Sequence, residues 1–372
     1  MVLIIGGGII GLSIAWRLTG IGKKVIIVEK KSLAKEASWA AAGMLNGRLD
    51  LKPSEKKLLP IFEKSHLVWP KFVKEIENKS GKSIDYRRKE GTLMVACDLD
   101  EEKKLKNNYN FLKNNKVNIT WLSGKQIREK EPYVSNNVLS GFFSPDDNHV
   151  NNRYILDALI TILKKNKNNC IFKENTEVEK IITNKNQVIG VKTKNETIKT
   201  KEIIVCSGAW TNKIKNIEIK EVPIRPVKGQ IICLKTPNNI SLLKHILWSE
   251  NVYLVPKNES YLIIGATVEE MGYDKSLTAG GIYNLLKKAR EVLPAIEDLS
   301  IVESLSGLRP TTRDDAPIIG PSEKTKGLIY ATGHHRNGIL LAPLTSNVIK
   351  NYYLNGKIEN DFNNFKPGRF VI

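Results

Sequence analysis

Residues 3–18 read LIIGGGIIGLSIAWRL and set Gly6, Gly8 and Gly11 in a GxGxxG pattern between an apolar run and an amphipathic one. That order predicts a strand, a tight turn and a helix. Gly6 permits the turn, Gly8 lets backbone approach a phosphate with no Cβ in the way, and Gly11 lets the helix pack close to the strand. A pyrophosphate at this place meets free N–H groups and the positive end of the helix dipole. A second apolar run, KKVIIVE, ends at Glu29, where a carboxylate can accept hydrogen bonds from both hydroxyls of a ribose. Glu29 would repel a phosphate on that ribose. The expected ligand is therefore a dinucleotide with an unphosphorylated adenosine ribose, and FAD and NAD both satisfy the pattern.

A chain of 372 residues with 41% hydrophobic content can bury a sizeable core and is expected to form two domains. The first sixteen residues lack the charged start of a signal peptide and are interrupted by the three glycines. No run approaches the ~20 apolar residues of a membrane span, so a soluble protein without a membrane span is expected. Cys97, Cys170, Cys206 and Cys233 form no CxxC pair, which predicts neither a disulfide framework nor a metal site and fits a reducing cytoplasm. The net charge of +19 raises a nucleic-acid partner as a question. The lysines, however, are scattered among asparagines, as in KNNYNFLKNNK and KKNKNN, without a basic helix or interleaved aromatics. They read as solvated faces, and no nucleic acid is expected.

Along the chain, the small residues from Ala37 to Gly43 can let backbone lie against a flat ligand, with Ser38 as a plain helix N-cap in the structural alternative. Leu58, Ile61, Phe62, His66, Trp69, Phe72, Val73 and Ile76 mark one face of a helix over 58–80, with His66 read as a packed core residue. GTLMVAC predicts a strand, residues 100–115 a helix, and residues 151–169 another helix capped by Asn151 or Asn152. Residues 170–210 read as a meander ending in the buried strand EIIVC and a turn at Ser207 and Gly208. From Val222 to about Ile301 the pattern is mostly strand, with one helix over 277–296. The last segment, GLIYATGHHRNGILLAPLTSNVIKNYYL, returns to a strand from Leu328 to Ala331, a glycine turn and a helix starting near Gly338. The chain thus crosses back, and the second domain is inserted rather than trailing.

Two arginines stand in segments that do not read as surface. Arg309 lies in SLSGLRPTTRDDAPIIG and Arg336 in ATGHHRNGILLAP. A guanidinium offers a planar fork that matches a carboxylate. The plain alternative for each is a surface ion pair with Asp314 or Asp315.

Taken together, GGGIIG at 6–11, Glu29, ASWAAAGML at 37–45, VCSGAW at 205–210, PVKGQ at 226–230, GLRP at 307–310 and GHHRNGILLAP at 333–343 resemble the D-amino-acid oxidase superfamily of flavoenzymes. Within it they are similar to the glycine oxidase branch that serves thiamine biosynthesis, almost end to end. The resemblance implies a mixed α/β fold: a Rossmann-like FAD-binding domain over 1–85, 140–220 and 302–372, and an inserted, largely antiparallel β substrate domain over 86–139 and 221–301. It implies FAD, held non-covalently because no cysteine falls in a segment assigned to the flavin. Gly6, Gly8, Ile9, Ile10 and Gly11 would wrap the pyrophosphate, with Glu29 at the adenosine ribose, Val178 at the adenine end and Lys30 also among the cofactor-binding residues. Ser38, Ala42, Gly43 and Met44 would line the flavin side, and Gly208 would stand at the edge of the cofactor. His334, His335, Arg336, Asn337, Gly338, Ile339 and Leu340 would cover the isoalloxazine. Arg309 would pair with the substrate carboxylate, Tyr253 would add a hydroxyl, and Arg336 would lie close to both flavin and substrate.

The implied reaction passes a hydride from the Cα of a bound free amine to the flavin and leaves an imine, with positioning and carboxylate neutralisation as the protein's part. The implied partners are glycine or sarcosine and dioxygen. Asn251 stands where relatives can carry histidine, Val268 where a methionine can occur, and Thr311 where glycine is common. These departures leave the substrate range open. Two alternatives share the observations unequally: a flavin dehydrogenase feeding a quinone or carrier shares every motif, whereas a basic nucleic-acid-binding protein shares only the charge. The oligomeric state is left open, a homo-oligomer included.

Overall fold

The computed structural model describes residues 1–87, 90–217, 222–237, 242–258 and 260–370. Val2–Ile5 and Val25–Val28 pair in parallel, from Val2 opposite Val25 to Ile5 opposite Val28, and every residue of both is buried. Strands apolar on both faces need cover on both. Successive side chains point to opposite sides, so Val2 and Ile4 enter a helical core with Trp16, Phe62, Trp69 and Leu340, whereas Leu3 and Ile5 enter a second core with Val178, Ile181, Val191 and Ile198. Helices Ile9–Thr19, Leu59–Ser80, Asn152–Lys165 and Gly338–Asn355 pack together on the first side.

The sheet has six strands in the order Ile318–Pro321, Leu328–Thr332, Ile203–Val205, Val2–Ile5, Val25–Val28, Cys170–Lys173. Only the Ile318–Pro321 edge runs antiparallel to its neighbour. The expected meander over 170–210 is therefore divided. Its first and last runs are apolar enough to join the parallel sheet, while Val178–Asn184, Gln187–Thr193 and Thr197–Lys199 form a separate antiparallel sheet that covers it.

An eight-stranded sheet makes the other half, in the order Ser300–Thr311, Arg225–Lys235, Tyr261–Gly265, Tyr253–Lys257, Ile246–Trp248, Thr92–Ala96, Ser140–Ser144, Thr120–Ser123. It is antiparallel except between Ile246–Trp248 and Thr92–Ala96, and helix Ala279–Val292 packs on one face. Ser140–Ser144 and Ser300–Thr311 lie in this sheet although the sequence boundaries at 140 and 302 place most of them in the cofactor half. Their backbone ladders with Thr92–Ala96 and Arg225–Lys235 hold them there. The expected boundary at 220/221 lies outside the described residues. Among the described residues, no helix is long and apolar enough to cross a membrane, and no group of three or more His, Cys, Asp or Glu is arranged to hold a metal.

Candidate active site

One cavity of about 600 Å³ runs between the two large sheets, from the glycine turn to Tyr253 and Arg309. At the turn, Gly6 has φ of +107°, and a Cβ there would strike the carbonyl of Cys206. Gly8 precedes helix Ile9–Thr19 and faces Ser38, whose Oγ would lie 3.2 Å from an added Cβ. Gly6, Gly8, Ile9 and Ile10 all line the cavity. Gly11 does not. Its Cβ position is filled by the Gly6 carbonyl oxygen, so its role is to let the helix sit on the turn, not to touch a ligand.

Glu29 stands at the end of Val25–Val28 with both oxygens engaged: Gly7 N–H donates to Oε2 at 2.9 Å and Lys31 N–H to Oε1 at 3.1 Å. Beside it the Lys30 ammonium lies 3.4 Å from the Trp210 ring centroid. Burial lowers the Lys30 pKa from its ordinary value. Val178 and Gly208 complete this end, and Ala42, Gly43 and Met44 continue the wall. Ser38 also lines the cavity but is not an N-cap, since Glu36 holds that position for Ala37–Ala40. Its hydroxyl instead accepts from Ile9 N–H at 3.0 Å, which places it across the turn from its own short helix.

At the far end, the long ladder between Arg225–Lys235 and Ser300–Thr311 sets Arg309 opposite Val227. The guanidinium reaches over Gly229, where any Cβ would collide with it, and Nη1 donates to the carbonyls of Lys228 at 3.1 Å and Thr267 at 3.0 Å. Among the described residues it forms no ion pair. Burial holds it below its ordinary pKa, with Arg336 adding in the same direction and Tyr253 opposing. A guanidinium nevertheless stays protonated, so a buried positive charge remains without a carboxylate. Tyr253 lies over Gly265, its strand partner, where a Cβ would lie 2.5 Å from the phenol oxygen. Burial raises its pKa, against the pull of Arg309, so the hydroxyl keeps its proton.

His334, His335, Asn337, Gly338 and Ile339 line the cavity between these ends, where Leu328–Thr332 passes through Gly333 into helix Gly338–Asn355. Burial pushes His334 down to about 3, and burial with the nearby Arg336, Arg309, Arg225 and Lys52 pushes His335 down to about 3, so both rings are neutral. His335 Nδ1 lies 2.7 Å from Thr311 Oγ1, which gives that departure from the family pattern a partner. Leu340 is not on the wall. Its side chain packs in the helical core and its carbonyl accepts from Trp69 Nε1 at 2.9 Å and from Ser65 Oγ.

Arg336 is on the wall but is already paired, with Asp50 Oδ2 at 3.0 Å, the Asp50 carbonyl at 2.9 Å and Glu55 Oε2 at 3.4 Å. The plain alternative, an ion pair with Asp314 or Asp315, is found for neither arginine among the described residues, and Asp314 is taken by Arg369 and Lys57. His66, read as a packed residue, is largely covered. It stands 3.5 Å from the buried Asp147, which Arg48 grips with Nε at 3.0 and 3.1 Å.

Sequence reasoning missed Asp50, Lys52, Trp248 and Cys206 on the wall. Asp50, Lys52 and Trp248 have no motif, Cys206 lies within VCSGAW without being singled out there, and only the fold of residues 46–58 across the cavity brings the first two there. Cys206 reaches the cavity beside Gly6 at the glycine turn, and burial pushes its thiol far up and suppresses the reactive thiolate. Gly229 and Gly265 were visible as glycines in strands, a signal of close approach.

The glycine cradle, the Glu29 lip and a cavity continuous to Arg309 suit an extended adenine dinucleotide. Glycine oxidase from Geobacillus kaustophilus is 32% identical over 346 residues, covering 92% of this chain and 90% of that protein. The structure of a glycine oxidase from the same organism superposes with a TM-score of 0.91 at 30% identity, covering 99% of this chain and 98% of the other. A bifunctional ThiO/ThiG protein from Trichormus variabilis is 31% identical over 99% of this chain, which spans 55% of that relative's length. The family model described as DAO, FAD dependent oxidoreductase, matches residues 1–351. With that match spanning nearly the whole chain, and with the cradle and cavity that its cofactor requires, this protein belongs to the DAO family of FAD-dependent oxidoreductases.

Proposed function

We propose that this protein oxidises glycine, or a small N-substituted amine such as sarcosine, to the imine with release of hydrogen peroxide, and that the imine feeds thiazole formation in thiamine biosynthesis. Arg309 carries the reading. It is a buried, positively charged fork at the substrate end of the cavity, without a carboxylate partner among the described residues, and an amino-acid carboxylate completes it. The relatives named glycine oxidase and ThiO/ThiG, matched over 92% and 99% of this chain, support glycine as the substrate.

When bound, FAD accepts the two electrons of the substrate Cα–H bond and passes them to dioxygen. Gly6, Gly8, Ile9, Ile10 and Glu29 would hold its adenine-dinucleotide portion, and Ala42 to Met44 with His334 to Ile339 would flank its ring. Arg309, with one edge fixed on two carbonyls, presents its remaining N–H groups to the substrate carboxylate. Tyr253 donates its phenolic hydrogen to the same carboxylate. Trp248, 6.3 Å from Tyr253 centroid to centroid, and Asn251 close the wall around a short substrate. The neutral His335 adds no competing positive charge.

Purified holoprotein mixed with glycine without oxygen should lose its flavin colour, and in air it should release peroxide. Bleaching without peroxide but with rapid dye reduction would assign a dehydrogenase. Absence of bleaching with both glycine and sarcosine would reject the reading.

A further inference from the structure

Four cationic side chains line the substrate half of the cavity and all act on His335: Arg225, Arg309, Arg336 and Lys52, of which Arg225 pairs with Glu270 at 3.2 Å. Two such cations could clamp a substrate carrying two carboxylates. Arg309 is available, as its buried guanidinium meets only carbonyls among the described residues. Arg336 is not. Its fork is filled by Asp50 and Glu55, both delivered by the segment that precedes helix Leu59–Ser80.

The two acids differ in placement but converge on the same guanidinium. Glu55 is almost fully buried in the 3₁₀ turn Pro53–Leu58, and its Oε2 also accepts from Lys52 N–H at 3.0 Å, so the turn itself aims it. Asp50 lies on the cavity wall and uses both its carboxylate and its carbonyl on Arg336. Asp315, also on the wall, and Lys52 act on the same neighbourhood electrostatically. Asp50 and Glu55 therefore already neutralise Arg336 by direct pairing, which leaves its fork no unpaired charge to offer an added anion.

We propose that Asp50 and Glu55 set the substrate class by occupying Arg336, so that the site accepts amines with one carboxylate and rejects those with two. This rests on Arg309 as the carboxylate anchor proposed above. The two acids are positioning residues and touch no reacting atom. Removing their charges while keeping their shape should free the Arg336 fork for a second carboxylate.

The test uses two unreactive probes on the holoprotein, acetate with one carboxylate and succinate with two, each read by the change in the flavin absorption spectrum. In Asp50→Asn/Glu55→Gln, succinate should bind about tenfold tighter than in the parent while acetate changes less than about threefold. Adding Arg336→Gln should erase the gain. The amide oxygen introduced by Glu55→Gln can still accept from Lys52 N–H, so the turn keeps its bond, and the two single variants should each show part of the effect.

Three results would overturn the proposal: succinate that does not tighten, acetate and succinate that tighten together, or a gain that survives Arg336→Gln. Turnover separates this outcome from the wider reading. If the parent oxidises glycine and the succinate preference does not move, the specificity proposal fails alone; if acetate does not perturb the parent's flavin and glycine does not bleach it, the anchor reading fails.

Discussion

Arg309 illustrates how a single residue acquires a role from its neighbours. Its guanidinium is immobilised on two carbonyls and overlies a glycine, so little side-chain freedom is left to lose when a carboxylate arrives. Replacing Arg309 by Ala should weaken glycine by about a hundredfold, read as the concentration that half-bleaches the flavin without oxygen, with FAD retention unchanged. Lysine should restore only part of it, because a point charge does not reproduce the fork. Gly229→Ala tests the support beneath. A methyl group there has to displace the guanidinium, so glycine should weaken by about tenfold or more although Arg309 itself is intact. Unchanged affinity in that variant would mean that Arg309 can act from another position.

At the scale of elements, two segments meet at the cavity and depend on different physics. The turn from Val2–Ile5 into Ile9–Thr19 is held by backbone contacts: Gly6 N–H donates to the Val28 carbonyl at 2.9 Å, and Leu12 N–H to the Gly8 carbonyl at 2.9 Å. Gly11→Ala puts a methyl group on the Gly6 carbonyl oxygen, which should cost about 1–3 kcal/mol and loosen the FAD cradle together. The check is a lower melting temperature with a lower flavin-to-protein absorbance ratio; a fall in one alone would separate packing from binding. Residues 46–58 depend on side chains instead. Arg48 ties this stretch to the buried Asp147, and Asp50 and Glu55 tie it to Arg336, so its path over the cavity is set by ion pairs at both ends.

For the whole molecule, the buried neutral histidines link folding to pH. His334 and His335 titrate near 3 in the fold and near 6.5 when unfolded. Between those values the unfolded chain binds more protons, so stability falls as pH drops below about 6.5. Asp314, held down to about 2 by Arg369 and Lys57, acts in the same direction at lower pH: its contribution is full above its ordinary 3.8 and is lost toward 2. The melting temperature should therefore decline from about pH 7 to about pH 5, and His335→Asn should flatten that slope. An equal slope in the variant would remove His335 from the linkage.

The glycine turn, Glu29, the main helices and the strands of both halves were legible in the sequence because each rests on local rules: glycine geometry, apolar period and caps such as Asn151, whose side chain accepts from Tyr154 N–H. GLRP and GHHRNGILLAP likewise marked Arg309 and Arg336 by their motifs. Which charge each arginine meets was not legible. Asp50 lies 286 residues from Arg336, and nothing local distinguishes it from the chain's other acids. The same holds for Ser140–Ser144, whose sheet is chosen by partners on either side, and for Leu340, turned from the cavity into the helical core. The order of residues was enough to establish a dinucleotide cradle and two arginine segments, since backbone conformation is a near-neighbour property. That one arginine meets only carbonyls among the described residues while the other is filled by carboxylates emerged only once the chain was folded, because charge pairing across a cavity depends on what the packing brings within a few ångströms.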